Sequence, residues 1–212
     1  MFHEYVSQDN IECEFLSILN KFKADVFDGT LSVTPDTDRE LPADVPSYDY
    51  LTSEKHLRSV QETPHKSDFG DPIGKLDVIT FAVSNWSSAT ADAYNPYSDR
   101  YHKEMASYLA EKKGRASIVI SGSFLYHPIC TMPWHTNEST YGDHAYLTYV
   151  DKSKKSYFRY YDNETKEVIT SYDEPGWQIR YFNAPKTEPY FWHCTYTECP
   201  RISIGFRILY NL

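Results

Sequence analysis

The chain has 212 residues and a formal net charge of -9, and no apolar run is long enough to span a membrane. Such an acidic chain lacks the clustered Lys and Arg that neutralise phosphates, so binding of duplex nucleic acid is not expected. Because the first ten residues lack the charged and apolar regions of a signal peptide, the sequence predicts a soluble, cytoplasmic protein. The 19 Tyr residues favour pleated sheets over helix bundles.

In the first third of the chain, a segment with helical spacing of apolar residues is followed by a polar segment rich in Pro. Apolar residues recur at helical spacing over 10–24, which predicts an amphipathic helix. Over 30–75 several Pro residues are scattered among Asp, Ser and Thr without periodicity, which predicts a loop-rich polar arm. Such an arm suits wrapping around a neighbour, so a homo-oligomer formed through it is expected. Residues 1–75 are therefore predicted to form a helix plus an arm.

The remaining residues, 76–212, are predicted to form one mainly β domain of the α+β class. Helical spacing over 96–113 predicts a helix that packs on the sheet. After Gly114 short strands alternate with turn residues, as in a sandwich or barrel. Strands are predicted at 76–83, 117–126, 145–150, 156–161, 167–171, 177–182, 190–193 and 201–210.

Two histidines, His135 and His193, stand at the ends of strands in this half, each beside a bulky aromatic residue. Neutral imidazole is a common iron ligand, and two histidines with one carboxylate would leave three positions of the metal open. Because histidines are also common in cores and on surfaces, their spacing alone favours the structural interpretation.

The closing strand strengthens the metal hypothesis. Strand alternation places Arg201 and Ser203 on one face, eight and ten residues after His193. The guanidinium of Arg can bind a carboxylate through two hydrogen bonds, and Ser adds a hydroxyl donor. An Arg-x-Ser strand beside a metal-binding histidine could therefore hold a dicarboxylate that chelates the metal.

The order of these residues resembles the iron(II)/2-oxoglutarate-dependent oxygenases, especially their small phage and bacterial members. The likeness runs from about residue 132 to residue 208, and it implies a double-stranded β-helix of the cupin-like jelly-roll kind, supported by N-terminal helices. It also implies a hydroxylase that uses Fe(II) and 2-oxoglutarate on a small-molecule or peptidyl substrate.

By this resemblance the site residues take specific roles. His135 and His193 would be iron ligands, while Arg201 and Ser203 would hold the distal carboxylate of 2-oxoglutarate. A tyrosine on the strand after the first motif, Tyr146 or Tyr149, would add a hydroxyl to that carboxylate.

The chain departs from the family at Asn137, where the usual third ligand is Asp or Glu. A neutral amide lacks the negative charge of a carboxylate, so weaker iron binding is expected. Four alternatives stay open. Asn137 ligates weakly, Glu138 or Asp143 supplies the carboxylate, the metal has been lost while the shape remains, or another anion fills the position as in the related halogenases.

Two other functions are compatible with the sequence. The first is a catalytically inactive double-stranded β-helix that acts as a binding or structural module, for example in a viral assembly. It is motivated by Asn137 and by the polar arm. The second, a carbohydrate-binding sandwich with exposed Tyr and Trp, depends on composition alone. The pair Asp143 and His144 is interpreted as an ordinary turn before a strand.

Overall fold

The computed structural model describes residues 3–29, 47–62, 78–82, 96–114, 117–137 and 141–209. Within them the strands are β1 (His3–Ser7), β2 (Val78–Ala82), β3 (Ser117–Tyr126), β4 (Cys130–His135), β5 (Gly142–Val150), β6 (Ser156–Asp162), β7 (Glu167–Tyr172), β8 (Gly176–Ala184), β9 (His193–Thr197) and β10 (Arg201–Leu209). The α-helices are α1 (Cys13–Phe27), α2 (Tyr48–Leu51), α3 (Glu54–Gln61) and α4 (Pro96–Lys113).

The strands form two antiparallel sheets. The larger sheet has the order β1-β8-β5-β10-β3-β2, and the smaller has the order β4-β9-β6-β7. Since neighbours in each sheet are mostly distant in sequence, the chain crosses repeatedly between the two sheets, as in a jelly roll. The predicted double-stranded β-helix is confirmed.

β10 lies at the centre of the larger sheet, where it pairs with both β3 and β5. Because side chains alternate along a strand, its two faces differ in chemistry. The outward face is apolar and buried, with Ile202, Ile204, Phe206 and Ile208. The inward face carries Arg201, Ser203, Gly205 and Arg207.

α1 and α4 cover the outward face of the larger sheet. The buried residues of α1 recur at helical spacing and so form one stripe: Phe15, Leu19, Phe22 and Val26. In α4 the same pattern buries Tyr101, Met105 and Leu109. The two helices meet where the rings of Phe15 and Tyr108 stack with centroids 4.0 Å apart. The main hydrophobic core therefore lies outside the barrel, between the sheet and these helices.

α2 and α3 cover the smaller sheet, which corrects the prediction of a loop-rich arm over 47–62. The Ser53 side chain caps α3 by accepting a hydrogen bond from the His56 backbone. Its backbone carbonyl accepts a hydrogen bond of 2.9 Å from the indole of Trp134 on β4. Residues 30–46 and 63–75 of the predicted arm lie outside the described residues, so the oligomer expected through it stays a prediction.

β1 and α1, in the first 29 residues, both pack against the larger sheet, while the division of the chain at residue 75 stays a prediction. β1, which was not predicted, pairs with β8 along the edge of the larger sheet. α1 packs into the core that this sheet shares with α4.

The strands differ from the predicted ranges at two places. β4 has no counterpart among those ranges, although His135 was expected at a strand end, because Pro133 and the irregular pairing before His135 interrupt its pattern. The strand predicted over 190–193 instead begins at His193 and runs to Thr197. Phe191 and Trp192, directly before His193, are buried without being strand residues. The predicted helix over 96–113 is confirmed.

The cysteines are unpaired, with Cys130, Cys194 and Cys199 buried and Cys13 exposed. The described tryptophans are buried in the core, so they offer no exposed platform for a sugar. None of the described helices is long and apolar enough to cross a membrane.

Phe15→Ala tests the packing of α1 on the sheet. Because Phe15 is fully buried, the substitution should lower the free energy of unfolding by about 3–5 kcal/mol, measured by urea denaturation. Phe27→Ala in the same helix is the matched control, since Phe27 is 49% exposed and should cost far less. Equal losses for the two variants would contradict this packing.

Candidate metal and carboxylate site

The two predicted histidines lie side by side in the barrel. His135 ends β4 and His193 begins β9, and the two residues are directly paired between these strands. Their ring centroids are 4.1 Å apart. Both side chains are buried, with exposures of 6% for His135 and 0% for His193. The distance is short enough for both imidazoles to bind one metal ion.

Hydrogen bonds fix which nitrogen of each histidine carries the proton. The Nδ1 atom of His135 lies 2.8 Å from the carbonyl of Pro133, and that of His193 lies 3.1 Å from the carbonyl of Phe191. Because a carbonyl only accepts, Nδ1 is the donor in both rings, and the lone pair is on Nε2. The Nε2 atom of His193 is buried without a hydrogen-bond partner among the described residues. This arrangement fits histidines that bind a metal through Nε2.

Burial keeps both imidazoles neutral. It lowers the pKa of His135 to about 4, against a smaller opposing effect of the hydrogen bond to Pro133. Burial also holds the pKa of His193 well below its usual value, helped by the nearby His135 and His144. A metal ion would therefore displace no proton from either ring near neutral pH.

Aromatic rings enclose His193. The ring centroids of Phe158, Phe191 and Phe182 lie 5.3, 5.4 and 5.5 Å from its imidazole, and that of Tyr146 lies 6.2 Å away. All three phenylalanines are buried. The wall is therefore apolar, and it limits access of water to the histidine pair.

The residue in the position of the usual acidic ligand, Asn137, is bonded to Tyr146. Its Nδ2 atom donates a hydrogen bond of 3.0 Å to the Tyr146 hydroxyl. Burial raises the pKa of Tyr146 to about 12, so this hydroxyl stays protonated. The bond orients the amide and brings no negative charge to the histidines. Among the described residues, no group of three His, Cys, Asp or Glu side chains is placed to hold a metal ion.

The alternative carboxylates give no third ligand in the described structure. Asp143 lies on β5 next to His144, so alternation turns it to the opposite face from the inward-facing His144 and Tyr146. Its Oδ1 atom accepts a hydrogen bond of 2.7 Å from Asn183 at the surface. Glu138 lies outside the described residues. The predicted turn at Asp143 and His144 is part of β5, and His144 is buried with its ring stacked on Phe182.

Gly205 allows Tyr146 to lie across the inward face of β10. The two residues are paired between β10 and β5. A Cβ atom at position 205 would lie 2.6 Å from the Ser121 hydroxyl and 3.0 Å from the Tyr146 ring. Any side chain there would therefore displace the ring that holds Asn137.

Arg201, the predicted carboxylate ligand, lies on the inward face of β10 and is 1% exposed. Its Nε atom donates a hydrogen bond of 3.2 Å to Asp173, and its Nη2 atom donates one of 3.3 Å to the Thr148 hydroxyl. Its Nη1 atom is buried and without a partner in the described part of the chain. Ser203 is on the same face and is 6% exposed. Tyr146 also lies within electrostatic reach of this guanidinium.

Tyr149, the other candidate tyrosine, lies on the opposite face of the sheet from Tyr146. Its ring centroid is 5.5 Å from that of Trp177, and the Lys23 amine lies 4.8 Å from its centre. Both contacts belong to the outer layer. Among the two candidate tyrosines, only Tyr146 faces the histidines and Arg201.

The residues that hold Arg201 were not predicted from the sequence. Asp173 follows β7, and Arg180 lies in the middle of β8; both are 0% exposed. The Nη2 atom of Arg180 lies 2.7 Å from Asp173 Oδ1, while the Ser156 hydroxyl donates to Oδ2. The signal was available in β8, where Gln178 and Arg180 alternate with apolar residues and so predict a polar inward face.

Two guanidinium groups thus share one carboxylate, which leaves a buried net charge of +1. Burial alone would raise the pKa of Asp173, but Arg180 and Arg201 outweigh burial and hold it below its usual value. The Nε and Nη1 atoms of Arg180 are buried without partners in this part of the structure, like Nη1 of Arg201. Since an uncompensated buried cation is costly, this end of the barrel is suited to a second, external carboxylate.

The fold is shared with a solved enzyme structure. A prolyl-4-hydroxylase from Pseudomonas putida superposes with a TM-score of 0.50 at 8% identity, over 99% of this chain and 93% of that one. A dioxygenase for auxin oxidation from rice is also similar, at 14% identity, with 98% and 73% of the chains covered and a TM-score of 0.46. At such identities the likeness shows the fold alone.

The 2-oxoglutarate complex of dioxygenase for auxin oxidation 1 from Arabidopsis thaliana matches at 13% identity, with 99% and 84% of the chains covered and a TM-score of 0.40. No family model matches the sequence. No curated protein matches it either.

Asp173→Asn tests the buried charge cluster. The variant should lose about 3–5 kcal/mol of unfolding free energy at pH 7, because it leaves two buried cations without a counter-charge. Glu198→Gln is the control, since its ion pair with Lys155 is exposed and such pairs contribute little. A small loss for Asp173→Asn would show that the cluster does not stabilise the fold.

The stability lost in Asp173→Asn should depend on pH. Because the folded-state pKa of Asp173 is depressed, its stabilisation is complete above the unfolded value of about 3.9. The stabilisation is lost as pH falls through the folded-state pKa. The stability difference between wild type and Asp173→Asn should therefore be constant from pH 7 to about pH 4 and shrink below it, as urea titrations at several pH values would measure.

Proposed function

We propose that the protein is an Fe(II)- and 2-oxoglutarate-dependent oxygenase that hydroxylates a small-molecule or peptidyl substrate. The observation that carries this proposal is the pair of buried, neutral histidines whose ring centroids lie 4.1 Å apart and whose Nδ1 atoms both donate to backbone carbonyls. The buried guanidinium of Arg201, with an unpaired N–H group on the inward face of the neighbouring sheet, supports it.

The residues of the chain take complementary roles in this proposal. His135 and His193 hold the iron, and Arg201 with Ser203 binds the distal carboxylate of 2-oxoglutarate. When bound, the metal and the 2-oxo acid supply the oxidising chemistry. The three phenylalanines around His193 limit access of water to the reacting centre, and Asp173 keeps the Arg201 fork oriented.

The first test is anaerobic titration of the apoprotein with Fe(II) and 2-oxoglutarate. Wild type should give the saturable visible charge-transfer band of a 2-oxo acid chelated to protein-bound iron. His193→Ala should abolish the band, since it removes one of two protein ligands, whereas His127→Ala at an exposed position should keep it. A folded wild type that gives no band would refute the proposal.

Arg201 needs a conservative substitution, because Arg201→Ala would also break its pair with Asp173. Arg201→Lys keeps the charge and loses the planar fork. It should weaken 2-oxoglutarate binding by about tenfold, as expected for the loss of one charge-assisted hydrogen bond of roughly 1.5 kcal/mol. Calorimetry on the apoprotein measures this without activity, and unchanged affinity would remove Arg201 from the site.

Asn137→Asp tests how far the unusual third position limits metal binding. The carboxylate adds one negative charge beside the histidines and should tighten Fe(II) binding about tenfold. Asn137→Ala is the matched control, because it also breaks the bond to Tyr146 without adding charge. If both variants bind iron equally, position 137 does not reach the metal.

The bond between Asn137 and Tyr146 also favours a second candidate function. Because the Asn137 amide is hydrogen-bonded to Tyr146, it is compatible with a barrel that holds no metal. Such a barrel would be an inactive structural or binding module. In that case the purified protein would bind neither Fe(II) nor 2-oxoglutarate and would elute as an oligomer in size-exclusion chromatography. Tight cosubstrate binding would exclude this candidate.

A further inference from the structure

The inward face of β10 carries a second arginine, Arg207, six residues beyond Arg201. At about 3.4 Å per residue the two positions are roughly 20 Å apart, at opposite ends of the strand. Arg207 is paired with His144 on β5, one inward-facing position beyond the pair of Gly205 and Tyr146. That step is about 7 Å, so Arg207 lies on the far side of Tyr146 from Arg201.

Arg207 belongs to a small cationic cluster, defined here as Arg207, Tyr141 and Lys186. The Arg207 guanidinium carbon lies 5.2 Å from the centre of the Tyr141 ring, and the Lys186 amine lies 5.0 Å from the same centre. Tyr141 is 41% exposed, and Lys186 is exposed as well. Two cations thus lie close to one exposed aromatic ring.

Neither cation has an acidic partner in the described structure, although the chain has 30 acidic and 21 basic residues. Other cations are paired, such as Lys155 with Glu198 and Lys112 with Glu12. The Nε atom of Arg207 is buried and makes no hydrogen bond with a described residue. A buried donor without a partner, beside a second cation, is suited to an external oxyanion.

The cluster lies near the histidine pair and away from the proposed cosubstrate end at Arg201. Tyr146 contacts the histidine pair, with its ring centroid 6.2 Å from that of His193. An anion on Arg207 would lie one inward-facing position further along β10. The cosubstrate end at Arg201 lies in the other direction, so an anion held at Arg207 would not compete for that subsite.

We propose that the cluster of Arg207, Tyr141 and Lys186 binds the anionic group of the substrate, a carboxylate or a phosphate, and thereby positions the rest of that molecule at the histidine pair. This inference rests on the proposed function, and it assigns the substrate to the class of small acidic molecules or peptides with an acidic group. Arg207 and Lys186 are substrate-positioning residues, and no bond is made or broken at them.

The test uses two oxyanion probes, methyl phosphate and acetate, on the full-length apoprotein at low salt. Arginine Nε–H resonances of the ¹⁵N-labelled protein report on the site, and the Arg207 signal is the one lost in Arg207→Gln. One of the probes should shift this signal saturably in wild type. Lys186→Gln should weaken that binding about tenfold, since it removes one charge-assisted hydrogen bond.

Control variants distinguish anion binding at the cluster from binding at other cations and from binding of the cosubstrate. Arg159→Gln removes a guanidinium on the outer face, where Arg159 bonds to Thr52 and Thr170, and it should leave probe binding unchanged. Arg207→Gln should keep the iron and 2-oxoglutarate band with the affinity of wild type.

Three results would overturn the inference. The first is an Arg207 signal that responds to neither probe, and the second is a response that is unchanged in Lys186→Gln. The third is displacement of the probe by 2-oxoglutarate together with loss of the band in Arg207→Gln, which would assign Arg207 to the cosubstrate. If wild type binds the probe but gives no iron and 2-oxoglutarate band, the cluster is an anion site. The oxygenase proposal is then refuted, and with it the role of the cluster in binding the substrate.

Discussion

The interior of the barrel is organised around the carboxylate of Asp173, which is shared by two buried guanidinium groups. Removing three charges from water is costly, and this is offset only where the geometry is good and the remaining donors find acceptors. Here Ser156 and Thr148 supply part of that environment. Because Arg201 Nε donates to Asp173, the orientation of Arg201 follows from this cluster, and the proposed cosubstrate end depends on Asp173.

The histidine pair is set by a different constraint, the pairing of β4 with β9. Each ring is held by the carbonyl two residues before it, so the local backbone sets both tautomers. The three phenylalanines then remove the water that would otherwise protonate or solvate the imidazoles. The result is a pair of neutral nitrogen donors whose position depends little on distant side chains.

Asn137 connects these two constraints. Its bond to Tyr146 joins the smaller sheet, which carries the histidines, to the larger sheet, which carries Arg201. A carboxylate at this position would accept a hydrogen bond from the tyrosine, whereas the amide donates one. The substitution therefore changes the direction of a hydrogen bond as well as the charge beside the metal position.

Much of the fold could be predicted from sequence because alternation and helical spacing are local signals. β10 and α4 are examples, and the positions of Arg201 and Ser203 on one face followed from alternation alone. Asp173 and β1 could not be found in this way, since a buried acid and an edge strand depend on partners far along the chain. To choose between Tyr146 and Tyr149, one must know which face of β5 points into the barrel. The packing of the other face against α1 decides this.

The central place of β10 has a consequence for folding. It is the last of the ten described strands, yet it joins β5 to β3 in the larger sheet. Until the ribosome has released the chain through residue 209, the sheet consists of two unconnected parts, and the apolar faces of α1 and α4 have no continuous surface to cover. The larger sheet is therefore expected to be completed only after β10 has left the ribosome, and until then the nascent chain carries exposed strand edges that chaperones would need to protect.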